Sequence, residues 1–240
     1  MKKIYSLLAI VLISITNHAQ VVISQIYGGG GNAGATYSND FIELYNRGAV
    51  AVNITGWSVQ YASANGTTWS LTTLPSATIQ PGKYFLIKQA AGSTPVKDLP
   101  TPDFDGTTAT SGSDGIPLIT GIPMASSSGK IILVNSATRE KVANPTGAQI
   151  IDKVAYGTTS ASGFEGTGPT GTALTNSTAA LRKDGGATDT DDNKADFVAE
   201  TPFPRNSSYV FVLSVKQDNI SGLNVYPNPV KNGNLYITSN

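Results

Sequence analysis

The sequence predicts an all-β fold, a two-layer β-sandwich with long surface loops. Three observations point there. Short runs rich in Val, Ile, Tyr, Phe and Trp recur between clusters of Gly, Pro, Asn, Asp and Ser, and none keeps a helical period. Glycine (25) and proline (13), with abundant Thr, Ser and Asn, favour turns over helices. Hydrophobic residues make up 40 % of the chain against 13 % charged, enough apolar surface for a packed core.

In chain order, residues 1–19 place Lys2 and Lys3 ahead of an apolar run from Leu7 to Ile15, then Ala19. That is the layout of a secretory signal peptide, its apolar run too short for a comfortable membrane anchor, and cleavage is expected after Ala19. Loss of Lys2 and Lys3 leaves 14 basic against 16 acidic residues, a net charge of −2. Charge therefore gives the chain no general reason to hold nucleic acid or an anionic membrane. Residues 21–27, VVISQIY, read as a strand, and Gly28 to Gly31 with Asn32 and Gly34 as a flexible connection. A phosphate-binding loop would need a Gly-Lys-Ser/Thr ending and a helix behind it. Here Ala35-Thr36-Tyr37-Ser38-Asn39 leads instead into another strand.

The stretch 40–57, DFIELYNRGAVAVNITGW, is the one the rest of the chain is arranged around. Phe41, Ile42, Leu44 and Tyr45 predict a buried strand, and Val50, Val52 and Ile54 a second with one wet face. Trp57 opens the third, WSVQYA, and Asn65-Gly66 is a hairpin signal leading into TTWSL. Pro81-Gly82 introduces KYFLIK, with Tyr84, Leu86 and Lys88 on one face, and residues 90–123 predict long loops. Residues 130–134, KIILV, and 149–156, QIIDKVAY, predict core strands; 157–176 is loop and 179–183 a short late strand. The domain, assigned to residues 20–206, fades after Pro204, 207–222 read as a linker, and 223–240 hold two strand-like pieces around Pro227-Asn228-Pro229. A strand pair of that size is not a stable domain by itself.

Chemistry is constrained most by what is missing. Cysteine is absent and the one histidine, His18, falls in the expected signal peptide. A mature chain without either has no thiol nucleophile, no Ser–His–Asp base and none of the common transition-metal ligands. The expectation is therefore a protein that is not an enzyme. The most chemical-looking segment is Asp189-Thr190-Asp191-Asp192-Asn193, where oxygen side chains at Asp189, Asp191 and Asn193 suit Ca²⁺. An EF-hand does not fit, since Lys194 stands where that loop needs glycine. Two readings stay open: a looser calcium loop, or an Asx-rich turn that seats Phe197 in the core. Asp40 and Glu43 could form a general acid–base pair only if the fold brought them to a shared cleft. Tyr27, Tyr37, Trp57, Tyr61 and Trp69 could line a polymer-binding platform, or fill the sandwich as aromatic side chains commonly do.

The order QIYGGGGNAGATYSNDFIELYNRG, NITGWSVQY, IQPGKYFLI, GKIILVN and VAYG resembles the lamin tail domain, most of all bacterial copies that accompany secreted nucleases and other surface hydrolases. The late LRKDGGATDTDDNKADF with TPFPRN resembles the closing motif of those copies. The resemblance implies an immunoglobulin-like β-sandwich acting as a non-catalytic binding or targeting module, for an extracellular polymer, a cell surface or a partner protein. NVYPNP and the residues after it resemble the start of a type IX secretion C-terminal sorting domain, here truncated at Asn240. That implies recognition of the tail by the secretion machinery and a location outside the cell or on the outer-membrane surface. Two alternatives remain: the non-catalytic arm of a longer extracellular hydrolase, or a metal-dependent hydrolase using only Asp and Glu.

Overall fold

The structure, a computed structural model, describes residues 20–210, 223–231 and 234–239. The expected signal peptide and residues 211–222 of the expected linker lie outside the described residues. In chain order the strands are β1 (Val21–Tyr27), β2 (Asn39–Asn46), β3 (Val52–Asn53), β4 (Ser58–Ser63), β5 (Ser70–Thr73), β6 (Thr78–Ile79), β7 (Tyr84–Ala91) and β8 (Phe104–Asp105). They continue with β9 (Thr110–Ser111), β10 (Pro117–Leu118), β11 (Gly129–Val134), β12 (Ile150–Tyr156) and β13 (Ala179–Arg182). A one-turn helix α1 (Asn193–Asp196) leads into β14 (Phe197–Glu200), and β15 (Leu223–Lys231) and β16 (Asn234–Ser239) come last.

Two six-stranded sheets face one another in an immunoglobulin-like sandwich. The first runs β14-β13-β1-β2-β7-β8 and the second β10-β9-β5-β4-β11-β12. Neighbours are antiparallel except β7 and β8, which run parallel. Alternate residues of each strand point inward, so Ile42 and Leu44 of β2 meet Ile131 and Leu133 of β11 in one core, with Ile26, Phe85, Ile87, Val154 and Phe197. The opposite parity makes two smaller clusters on the outer faces. One holds Tyr27, Tyr37, Phe41, Leu86 and Ala179 under the loops that follow β1 and β7. The other holds Ala62, Trp69, Ile132 and Val134.

Three expectations need correcting. The predicted strand through Val50, Val52 and Ile54 shrinks to β3, which pairs only with β6 in a separate ribbon. Val50 is 62 % exposed and Ile54 fully buried, because the Asn46 amide donates to the Val50 carbonyl and holds residues 47–50 in a turn. The glycine connection after β1 is close-packed rather than loose. A side chain on Gly30 would strike the backbone of Asn39 and Asp40, and one on Gly31, at φ +62°, the backbone of Gly92. Residues 90–123 are not bare loop, since β8, β9 and β10 add edge pairings and Ile122 enters the core.

The chain divides into two compact units, Met1–Tyr209 and Val210–Asn240. In the second, β15 and β16 pair antiparallel from Leu223 with Ser239 to Tyr226 with Tyr236, and the register then breaks until Lys231 meets Asn234. The break falls where Pro227 and Pro229 lack the N–H that a ladder needs.

Candidate functional site

Arg182, the last residue of β13, has its side chain wholly buried. Its Nε donates to the Ile23 carbonyl at 3.0 Å, tying it to β1. Nη2 reaches Asp152 Oδ2 of β12 at 2.8 Å, and the same oxygen accepts from the Ile23 N–H at 2.6 Å. One guanidinium thus fastens the two sheets together. Nη1 contacts Asp189 Oδ1 at 3.0 Å and Asp196 Oδ2 at 3.4 Å. The guanidinium carbon lies 4.6 Å from the centre of the Phe197 ring. Burial alone would lower the Arg182 pKa, but Asp152, Asp189, Glu165 and Asp196 hold it raised.

The acidic turn wraps around this arginine, and the structure gives each of its residues separate work. Asp189 accepts from Arg182 on one oxygen and from Arg47 Nη1 on the other, at 3.1 Å. Asp191 is exposed, with its backbone at φ +55°. Asp192 caps α1, accepting from the Lys194 N–H at 3.1 Å, and holds the Thr167 hydroxyl. Asp196 accepts from both the hydroxyl and the N–H of Thr190, at 2.6 and 2.8 Å.

Asn193, expected among the cation ligands, is engaged elsewhere. It is 0 % exposed, and its amide lies along the free edge of β12, accepting from the Ala155 N–H at 3.0 Å and donating to the Lys153 carbonyl at 3.1 Å. It behaves there as one more rung of the sheet. Its Oδ1 also accepts from the Glu165 N–H at 3.3 Å, and its own N–H donates to the Glu165 carbonyl at 3.1 Å. Those two bonds clip the 157–176 loop onto the acidic turn. They deliver a residue that the sequence does not single out: carboxylate oxygens of Glu165, Asp189 and Asp191 all lie within 4.8 Å of one another. Burial first, and then the charges of Asp152 and Asp189, push the Glu165 pKa up to about 9. Nothing in the spacing of 165 and 189 announces this meeting, because a β-sandwich joins distant loops through tertiary packing.

Asp40 and Glu43 go to different places. Asp40 accepts from the Gly30 and Met124 N–H groups, each at 2.8 Å, and burial pushes its pKa up to about 7 against the pull of those two amides. Glu43 is fully buried on the outer side of the first sheet. A bulge in β1 sets both Ser24 and Gln25 opposite it, and Ser24 Oγ donates to Oε1 at 2.6 Å. Its main partner is Arg205, 162 residues away, whose Nη2 reaches Oε1 at 2.7 Å and whose Nε and backbone N–H reach Oε2 at 3.3 and 2.6 Å. Burial raises the Glu43 pKa and Arg205 draws it back down. Arg205 also stacks 3.9 Å from the centre of the Tyr84 ring. The arrangement is a clasp for the segment 201–209, not an acid–base pair. Among the aromatic candidates, Tyr27, Tyr37 and Trp69 are buried, and Trp57 and Tyr61 are half-buried against the main core.

Residues 14–192 match the model of the Lamin Tail Domain family. No curated protein matches the chain significantly. Among solved structures, the chain is similar to the crystal structure of a DUF4876 family protein from Bacteroides thetaiotaomicron. The two share 13 % identity and a TM-score of 0.52, over 82 % of this chain and 75 % of that one. At such low identity the likeness shows the fold.

Proposed function

Because the chain belongs to the lamin tail domain family, we propose that it works as a non-catalytic binding and targeting module outside the cell. The observation that carries this reading is the use made of its buried ionisable groups. Asp152, Asp189 and Asp196 share one arginine, Glu43 is held by another, and Asp40 is held by two backbone amides. A general base needs a lone pair aimed at a substrate, whereas these carboxylates aim at their own scaffold. The chain beyond residue 19 also contains neither His nor Cys to take over that work.

On this reading residues 1–19 are a signal peptide removed after Ala19, and residues 223–240 begin a sorting domain that the type IX secretion machinery recognises. The partner is a polymer or protein of the cell exterior, and the net charge of −2 after cleavage argues against nucleic acid as the main one. The test has two arms. N-terminal sequencing of exported protein should begin at Gln20. Purified chain should bind in a screen of polysaccharides, outer-surface fractions and DNA while turning over no phosphoester, glycoside or peptide substrate. Hydrolysis at enzyme-like rates that survives repurification would overturn the reading.

A further inference from the structure

We propose that the Asp189–Asp191 turn and the loop carrying Glu165 together form a Ca²⁺ site, with Glu165, Asp189 and Asp191 as its carboxylate ligands. Two independent observations carry it. The first is convergence: oxygens of all three lie within 4.8 Å of one another. Two ligands on opposite sides of a calcium ion, each about 2.4 Å away, are separated by about that distance. The second is an orphan. Glu165 Oε2 is wholly buried and, among the described side-chain nitrogen and oxygen atoms, it is the one buried atom without a hydrogen-bond partner. Buried polar oxygens nearly always have a partner, and a hard cation is a partner an anionic oxygen can take.

The charge balance points the same way. Asp152, Asp189, Asp191 and Asp196 gather around Arg182 and Arg47 beside Glu165, so four aspartates face two guanidinium groups. A divalent ion offsets that excess. Both Asp189 oxygens already accept from arginine, but each keeps a second lone pair. Asp191 is exposed and leaves an open side through which the ion enters and water completes the six to eight oxygens that calcium takes. Asn193 is a positioning residue: its two bonds to the Glu165 backbone fix the loop that presents the carboxylate.

The experiment uses the full chain, melted in EDTA, in about 10 mM CaCl₂ and in about 10 mM MgCl₂, with calcium binding measured in parallel by calorimetry. Extracellular calcium modules bind at roughly 0.1–1 mM, so calcium should raise the Tm by about 3–6 °C or more, and magnesium should not. Asp191→Asn keeps a residue that accepts positive φ and removes one charged ligand at an exposed position, and its own Tm in EDTA is the baseline for its calcium shift. Glu165→Gln replaces the orphaned carboxyl ligand with an amide. Both variants should lose the calcium shift and the calorimetric signal. The site is refuted if the parent neither shifts nor binds, if both variants respond as the parent does, or if magnesium serves equally well.

Discussion

Glu43 and Arg205 show what one buried pair does when its partners lie at opposite ends of a domain. Both carboxylate oxygens and three donors of Arg205 are committed to each other, and Ser24 fills a remaining lone pair. Breaking such a pair from one side leaves a charge without water or counter-charge. Arg205→Ala should therefore lower stability by about 3–5 kcal/mol, read from the midpoint of urea unfolding. Arg205→Lys should recover only part of that, because an ammonium cannot reproduce the two-pronged contact or the stacking on Tyr84. Asp40 supplies a pH signature. Its pKa rises from 3.8 in the unfolded chain to about 7 in the folded one. Its contribution is thus complete below about pH 4 and fades as the pH climbs to 7, by at most about 4 kcal/mol. The unfolding free energy of the parent should fall relative to that of Asp40→Asn as the pH rises from 4 to 8. Parallel curves would sink that assignment. None of this is legible in the sequence, where Arg205 falls in TPFPRN just ahead of the expected linker and the cation nearest Glu43 in the chain, Arg47, pairs with Asp189 instead.

The strands are the legible part, and the reason lies in period-two alternation. The apolar run 21–27 has the bounds of β1, and KIILV and QIIDKVAY each fall within a residue or so of β11 and β12. Alternation also misleads once, at Val50, Val52 and Ile54, because the Asn46 side chain organises a turn there. The helix α1 and strand β14 escape a sequence reading because four residues are too few to show a period. Their anchor is Asn193, whose amide completes the edge of β12 and holds Glu165 at the same time. Asn193→Ala should cost about 2–3 kcal/mol, since it leaves the Ala155 and Glu165 N–H groups without their acceptor. It also uncovers two ladder positions on a seven-residue edge strand. Size-exclusion chromatography at rising concentration should then show association that the parent lacks.

Across the first unit, the fold reaches further along the chain than the family match. That match stops at residue 192, yet Phe197 fills the main core and β14 closes one edge of the first sheet. The segment after β14 then crosses the outer face of that sheet. Gln25 exchanges hydrogen bonds with the backbone of Phe203 at 2.8 and 2.7 Å, Arg205 enters the Glu43 pocket, and Tyr209 packs on Tyr84 and Phe203. A chain ending at Tyr209 keeps all of these contacts, and one ending at Glu200 loses them together. The longer piece, residues 20–209, should unfold in urea as one cooperative step, with circular dichroism and the fluorescence of Trp57 and Trp69 giving the same midpoint. Residues 20–200 should lose at least the 3–5 kcal/mol expected for Arg205→Ala, because Glu43 is left buried and unpaired. Two pieces of equal stability would show that the clasp adds nothing to the sandwich. A loss confined to the shorter piece would place the working boundary of this domain after its last clasp contact, some seventeen residues beyond the family match.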